Sequence, residues 1–210
     1  MKEADAFAAL ISTGHALAGA GLSPGTTGNI STRVGDRILV SGTGARLGAL
    51  SNDDIAILTL NGERIVGAAP TKEAMLHVRA YAVRPEVTAV VHLHSPAALA
   101  VSCLADLPEA SPLPCYTPYY AMKAGRVALV DYFPPGDERL AEASGTALRA
   151  ADSLLLRRHG LVTIGPELAS AVAAAEELEA NADIHLRLAG RAADPLSPDD
   201  VAALPHWRNR

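Results

Sequence analysis

Ile55-Ala56-Ile57-Leu58-Thr59-Leu60-Asn61-Gly62-Glu63-Arg64-Ile65-Val66 is the stretch on which the fold turns. Two β-type runs, 55–60 and 63–66, flank Asn61-Gly62. That dipeptide suits a type I′ turn, in which both central residues take positive φ. The spacing predicts an antiparallel hairpin. Upstream, runs at 30–34 and 37–40 repeat the arrangement around Gly35-Asp36.

Helical periodicity surrounds these hairpins. Phe7, Leu10, Ile11 and Leu17 fall at helical spacings within 4–20, and Gly19, Gly21 and Pro24 stop the run. Pro70-Thr71 opens a helix to about residue 83, with Thr71 as N-cap and Met75, Val78 and Ala82 on its inner face. Residues 87–94 form a buried strand, and Ser95-Pro96 starts a helix to about 104. A loop rich in proline and tyrosine (108–120) leads to a strand at 126–133. Pro134-Pro135-Gly136-Asp137 precedes a helix to about 150. Strands at 153–158 and 161–164 lie about His159-Gly160, and a long helix covers 167–188. Hairpins mixed with helices predict an α/β fold with a largely antiparallel or mixed sheet covered by helices. We expect one domain over 1–210, with a polar, proline-marked and mobile tail at 191–210. No strand leads through GxGxxG into a helix, which argues against a dinucleotide fold.

The 210 residues are 49% hydrophobic but 4% aromatic, so Ala, Leu and Val build the core. Cys103 and Cys115 lack metal or redox spacing and read as ordinary thiols of a reducing compartment. The start, Met-Lys-Glu-Ala-Asp, is acidic where a signal peptide is basic, and no apolar run approaches the ~18 residues of a membrane span, so the expected location is cytoplasmic. A net charge of −5 argues against nucleic acid as a partner. Arg157-Arg158 reads equally as a site edge or as two solvated arginines.

Val90-Val91-His92-Leu93-His94 carries the strongest chemical signal. Alternation along a strand puts His92 and His94 on one face, about 6 to 7 Å apart along the chain. Two imidazoles there can converge on one ion, or form an exposed edge or a hydrogen-bonded core pair. His159, at a strand end in Leu-Leu-Leu-Arg-Arg-His-Gly, supplies a third ligand. Three imidazoles suit zinc or another divalent transition ion, Mn2+ and Co2+ included. Thr71-Lys72-Glu73 at a helix start offers amides and an ammonium to a phosphate, or is an ordinary cap. The glycine-rich loops 25–29 and 41–44 add anion-binding amides and hydroxyls, with Thr26, Thr27, Asn29, Thr43 and Gly44 as candidates. Glu73 is a proton carrier or a metal ligand. Tyr119 and Tyr120 offer a general acid or aromatic packing, and Glu176-Glu177-Leu178-Glu179 reads as a solvated helix face.

Gly25-Thr26-Thr27-Gly28-Asn29-Ile30-Ser31, Ser41-Gly42-Thr43-Gly44, Thr71-Lys72-Glu73, His92-Leu93-His94-Ser95 and His159-Gly160 together resemble the class II aldolase/adducin family over about residues 5–190. Arg46-Leu47-Gly48-Ala49-Leu50, the 116–125 segment, Pro135-Gly136-Asp137 and the glutamate run look most like its 3-oxo-tetronate 4-phosphate decarboxylase branch. The resemblance implies a three-layer α/β/α fold and a homotetramer with sites at subunit interfaces. It also implies metal on His92, His94 and His159, proton transfer by Glu73, and Tyr119 or, second, Tyr120 as the acid of a neighbouring site. Phosphate falls to Thr26, Thr27, Asn29, Thr43, Gly44, Thr71 and Lys72, the last standing where a serine is common in the aldolases. The implied reaction removes CO2 from a phosphorylated sugar acid through a metal-stabilised enediolate, yielding dihydroxyacetone phosphate. A fuculose-phosphate type aldolase is the alternative, since both reactions share that intermediate. An adducin-like interaction domain is disfavoured by the three histidines. A Schiff-base aldolase is disfavoured because Lys2, Lys72 and Lys123 all lie outside apolar runs.

Overall fold

A computed structural model describes residues 2–204. Its elements are α1 (Glu3–Gly19), β1 (Asn29–Val34), β2 (Arg37–Ser41), β3 (Ile55–Thr59), β4 (Arg64–Gly67), α2 (Ala74–Val83), β5 (Ala89–Leu93), α3 (Pro96–Ser102), α4 (Pro118–Ala124), β6 (Val127–Val130), α5 (Glu138–Ala147), β7 (Ser153–Leu156), β8 (Gly160–Gly165), α6 (Leu168–Arg187) and α7 (Pro198–Ala202). The strands make one sheet in the order β4-β3-β2-β1-β5-β8-β7-β6. Every neighbouring pair is antiparallel except β6 with β7, so the sheet is mixed and mainly antiparallel.

Alternation of side chains along the strands creates two cores, one on each face of this sheet. Ile30, Leu39, Ile57, Val91, Leu93 and Leu161 pack with residues of α1, α3, α4 and α6. Ile38, Val40, Leu58, Val90, Leu154 and Val162 face the other way, onto α2 and α5. Both faces are covered, which gives the three layers α/β/α. His92 has the parity of Val90 and therefore points into the α2 side, where it is completely buried.

Several local expectations change. In the β3–β4 hairpin Gly62 has φ 90 but Asn61 stays out of the positive region, so the turn is not type I′. Thr59 Oγ1 accepts from the amides of Asn61 and Glu63 (3.3 and 3.2 Å), widening the loop. Gly35, at the first central position of the β1–β2 turn with φ 61, provides the type II′ requirement. Helix α2 starts at Ala74, with Glu73 rather than Thr71 in the cap position. Thr71 Oγ1 still accepts from the Glu73 amide (3.3 Å), one step ahead of the helix. Because α2 packs against both the sheet and α5, its buried face is Ala74, Leu76, His77, Val78, Ala80 and Tyr81, while Ala82 is exposed.

The supposed loop through residue 120 contains the start of α4. Thr117 Oγ1 caps it by accepting from the Tyr120 amide (3.1 Å) and Pro118 sits in its first turn, a start signal that the Pro-Tyr composition masked. The tail from Gly190 is docked in part. The Leu196 amide donates to the Cys115 carbonyl (2.8 Å), and Ser197 with Asp200 forms a capping box at α7. Residues 205–210 of the expected tail lie outside the described residues. Among the described residues no helix is long and apolar enough to cross a membrane.

Candidate metal centre

His92 lies on β5, between β1 and β8. Its Nδ1 lies 2.8 Å from the Leu161 carbonyl oxygen. A carbonyl only accepts, so Nδ1 carries the hydrogen and, in the neutral ring, Nε2 holds the lone pair. That Nε2 is 3.0 Å from His94 Nε2. The chain leaves β5 at Leu93, and His94 stands half-buried at the sheet margin. Burial, reinforced by the neighbouring His92 and His159 rings, holds the His94 imidazole down to about 4, so it is neutral near pH 7.

His159 arrives from the β7–β8 hairpin. Arg158 in that turn takes φ 56, and Gly160 takes φ 145. A Cβ on Gly160 would lie 2.2 Å from the Leu93 carbonyl oxygen, so only glycine lets β8 approach the end of β5 this closely. This approach brings the His159 ring to 4.7 Å from His94 and 5.0 Å from His92, centroid to centroid. Arg157 has a structural part: its guanidinium lies 3.4 to 3.5 Å from the carbonyls of Leu104, Ala105 and Leu107 and 3.4 Å from Asp131, over the segment after α3. Arg158 is exposed.

Glu73 comes from the opposite layer. Its Oε1 is 2.8 Å from His159 Nε2, and its Oε2 is 3.2 Å from His92 Nε2. Oε2 also accepts from Asn29 Nδ2 at 2.9 Å. Burial alone would raise this carboxyl, yet attraction to His92 and His159 outweighs it and holds Glu73 well below the usual carboxylate range. Although Glu73 Oε1 and His159 Nε2 touch, their approach is not aligned for a hydrogen bond, and both atoms are buried without a hydrogen-bond partner.

One ligand atom from each of Glu73, His92, His94 and His159 falls within 4.8 Å of all the others. Ligands around one transition ion at ordinary bond lengths sit about 3 Å apart. The convergent imidazole nitrogens, the His92 tautomer and the two unpartnered atoms fit such an ion, and three nitrogens with one carboxylate match the preferences of zinc and its neighbours.

The glycine-rich loops meet beside Glu73. Ser41 Oγ accepts the Ile30 amide (3.1 Å), the Thr71 amide donates to the Ser41 carbonyl (3.2 Å), and the Thr43 amide donates to the Ala69 carbonyl (2.9 Å). Segments 23–30, 41–44 and 69–73 are thereby joined. Thr26, Thr43, Gly44 and Lys72 are exposed there, whereas the Thr27 hydroxyl donates to the Pro24 carbonyl at 2.6 Å. Asn29 is buried, its amide spanning Glu73 and His77. Tyr119 is 60% exposed on α4, while Tyr120 is buried in the core, where burial raises its phenol above the ordinary value. Among the described residues no hydrogen bond or ion pair joins Tyr119 to the histidine cluster within the chain.

Residues 8–186 match the family described as Class II Aldolase and Adducin N-terminal domain. The chain belongs to this family. Among its class II aldolase relatives, the 3-oxo-tetronate 4-phosphate decarboxylase of Haemophilus influenzae is 35% identical over 93% of this chain and 93% of its own length. The L-fuculose phosphate aldolase of Methanococcus maripaludis is 38% identical over 77% of this chain and 85% of the relative. The crystal structure of YgbL from Klebsiella pneumoniae superposes with a TM-score of 0.94 at 35% identity, covering 97% of this chain and 99% of that one. Its relatives are lyases, and the class II aldolase architecture accounts for the mixed sheet between two helical layers.

Sequence reasoning missed four polar residues around this centre. Glu179 belongs to a run whose pattern reads as a solvated face, but it turns inward and accepts from the Ala97 and Ala98 amides and the Ser95 hydroxyl (2.7 to 2.8 Å). It thus caps α3 immediately after His94, through a tertiary contact between residues more than eighty apart. Ser31, His77 and Tyr81 form a buried chain behind Asn29. Their spacing was a usable signal: Glu73, His77 and Tyr81 recur every fourth residue on one helical face.

Proposed function

We propose that this chain is a metal-dependent carboxy-lyase that converts a 3-oxo-tetronate 4-phosphate to dihydroxyacetone phosphate and CO2. The convergence of Glu73 with three imidazoles beside the glycine-rich loops carries the reading. Likeness to decarboxylases along almost the whole chain supports it.

A divalent ion, zinc in the first instance with Mn2+ or Co2+ as substitutes, would be held by His92, His94 and His159 and would supply Lewis-acid stabilisation of the charge that builds beside the carbonyl. In the reaction the bond from C1 to C2 breaks, its electron pair stays on C2, and C2 takes up one proton. Glu73, a carboxylate at rest, receives that proton from the acid and delivers it to C2 from Oε1, because Oε2 is engaged by Asn29. Thr26, Thr27, Asn29, Thr43, Gly44, Thr71 and Lys72 bind the phosphate, with Lys72 contributing a full positive charge from an exposed position. Tyr119 acts as the acid in the site of a neighbouring subunit of a cytoplasmic homotetramer. Its exposure, against the burial of Tyr120, supports that choice.

The test is to incubate metal-loaded protein with candidate 3-oxo-tetronate 4-phosphates and with fuculose 1-phosphate while following CO2 and aldehyde separately. CO2 release from the former is expected. Aldehyde release without CO2 would assign an aldolase instead.

A further inference from the structure

Behind Glu73 a single line of hydrogen bonds crosses the layer between β1 and α2. Asn29 Nδ2 donates to Glu73 Oε2 (2.9 Å), and Asn29 Oδ1 is 2.6 Å from His77 Nε2. His77 Nδ1 is 2.7 Å from Ser31 Oγ, which is 2.7 Å from the Tyr81 hydroxyl. His77 and Ser31 are completely buried. The line exists because two periodicities match. Asn29 and Ser31 share a strand face with a rise of about 6.6 Å, and Glu73, His77 and Tyr81 follow one helical face with a rise of about 6 Å per step.

The direction of every bond follows from the carboxylate end. A carboxylate only accepts, so Asn29 must turn its amide nitrogen to Glu73 and its oxygen to His77. His77 Nε2 must then carry the ring hydrogen. Burial holds His77 down to about 3, so the ring is neutral with a single hydrogen, and Nδ1 accepts from Ser31. Ser31 in turn accepts from Tyr81. In the opposite tautomer the bare Nε2 would draw the Asn29 amide nitrogen away, leaving the Asn29 oxygen against the Glu73 carboxylate, two acceptors in contact.

We propose that His77 is a positioning residue: through its Nε2–H, with Nδ1 occupied by Ser31, it holds the Asn29 amide so that Glu73 Oε2 is pinned and Oε1 alone faces the reacting groups. This rests on the proposed role of Glu73 as proton carrier. His77 touches neither substrate nor metal ligands and acts only through Asn29.

Two substitutions separate this role from simple packing. His77→Gln can place an amide donor where Nε2 stands, while His77→Asn reaches only the Nδ1 position. His77→Gln should keep kcat within about threefold of wild type, and His77→Asn should lower it by on the order of 10- to 100-fold, with metal content little changed. Equal kcat in the two variants, or a loss confined to KM, overturns the proposal. A readout independent of turnover is the 15N spectrum of the imidazoles in wild-type protein. A neutral His77 with hydrogen on Nε2 is expected, and a hydrogen on Nδ1 overturns the proposal even if both variants fail to fold. Failure of the decarboxylase reading would show instead as wild-type protein that releases no CO2, with the tautomer unaffected.

Discussion

Glu73 Oε1 and His159 Nε2 lie 2.8 Å apart, both buried and neither in a hydrogen bond. Their separation in sequence is spanned by three strands and four helices, so the contact is wholly a product of the fold. Unpartnered buried polar atoms are costly, and a cation bound at His159 Nε2 beside the Glu73 carboxylate would remove the cost.

Removal of metal should therefore destabilise the protein as well as silence it. Treatment with a chelator is expected to lower the melting temperature and abolish turnover, and zinc or Mn2+ should restore both. Stoichiometry by elemental analysis should approach one ion per chain. Unchanged melting and activity after complete stripping would remove the centre from the mechanism.

Glu73→Gln keeps the shape of the side chain and removes its ability to carry a proton at neutral pH. Turnover should fall by on the order of 10²- to 10⁴-fold, with metal retained by the three imidazoles. A variant that still works at near-normal rate would exclude Glu73 as the proton carrier.

Gly160→Ala confronts a positive φ and a Cβ placed 2.2 Å from the Leu93 carbonyl. Relief requires β8 to move from the end of β5, carrying His159 with it. We expect a loss of about 2 kcal/mol or more in urea unfolding together with weakened metal affinity. Wild-type values for both would show that the β5–β8 approach is less constrained than these contacts imply.

Glu179→Ala strips the N-terminus of α3 of an ionised cap that takes two amides and a hydroxyl. A destabilisation of about 2 kcal/mol is expected. Glu176→Ala, three residues away and exposed, should stay within about 0.5 kcal/mol of wild type. Equal effects of the two substitutions in chemical denaturation would restore the view of this run as one solvated face.

Acid should destabilise the fold through His77. Its pKa is lowered by burial from 6.5 to about 3 in the folded protein. Above the unfolded value neither state binds the proton, so the full stability is present. As pH falls from about 6.5 toward about 3, the unfolded chain takes a proton that the folded ring refuses, and stability is lost. The lowered His94 acts in the same direction, so the informative quantity is the difference between wild type and His77→Gln, both metal-free. The stability of wild type relative to the variant should decline across this window. A constant difference would mean that His77 is not held neutral by burial.

Much of this molecule was legible from local pattern. The hairpins about Gly35 and Gly62, the buried β5, the proline-started α3 and the long α6 follow from periodicity and turn chemistry, which act over a few residues. So does the pairing of His92 with His94, because strand alternation alone puts positions i and i+2 on one face. The start of α2 and the existence of α4 differ from the local pattern for the same reason in reverse. There, Thr71 and the Pro118-Tyr119-Tyr120 segment carried start signals that compete with turn and loop readings over the same few residues.

The chain by itself determined which chemistry is available: three imidazoles, one carboxylate beside a helix start, and loops rich in amides and hydroxyls. Only the tertiary structure decided which of these meet. Glu73 reaches His159, Asn29 turns toward His77, and Glu179 folds in over Ser95 because sheet pairing and two-sided helix packing bring together residues 48 to 86 positions apart. Side-chain periodicity specifies a face, but the partner of that face depends on strand order and on the backbone approach that Gly160 permits, and no local pattern encodes either.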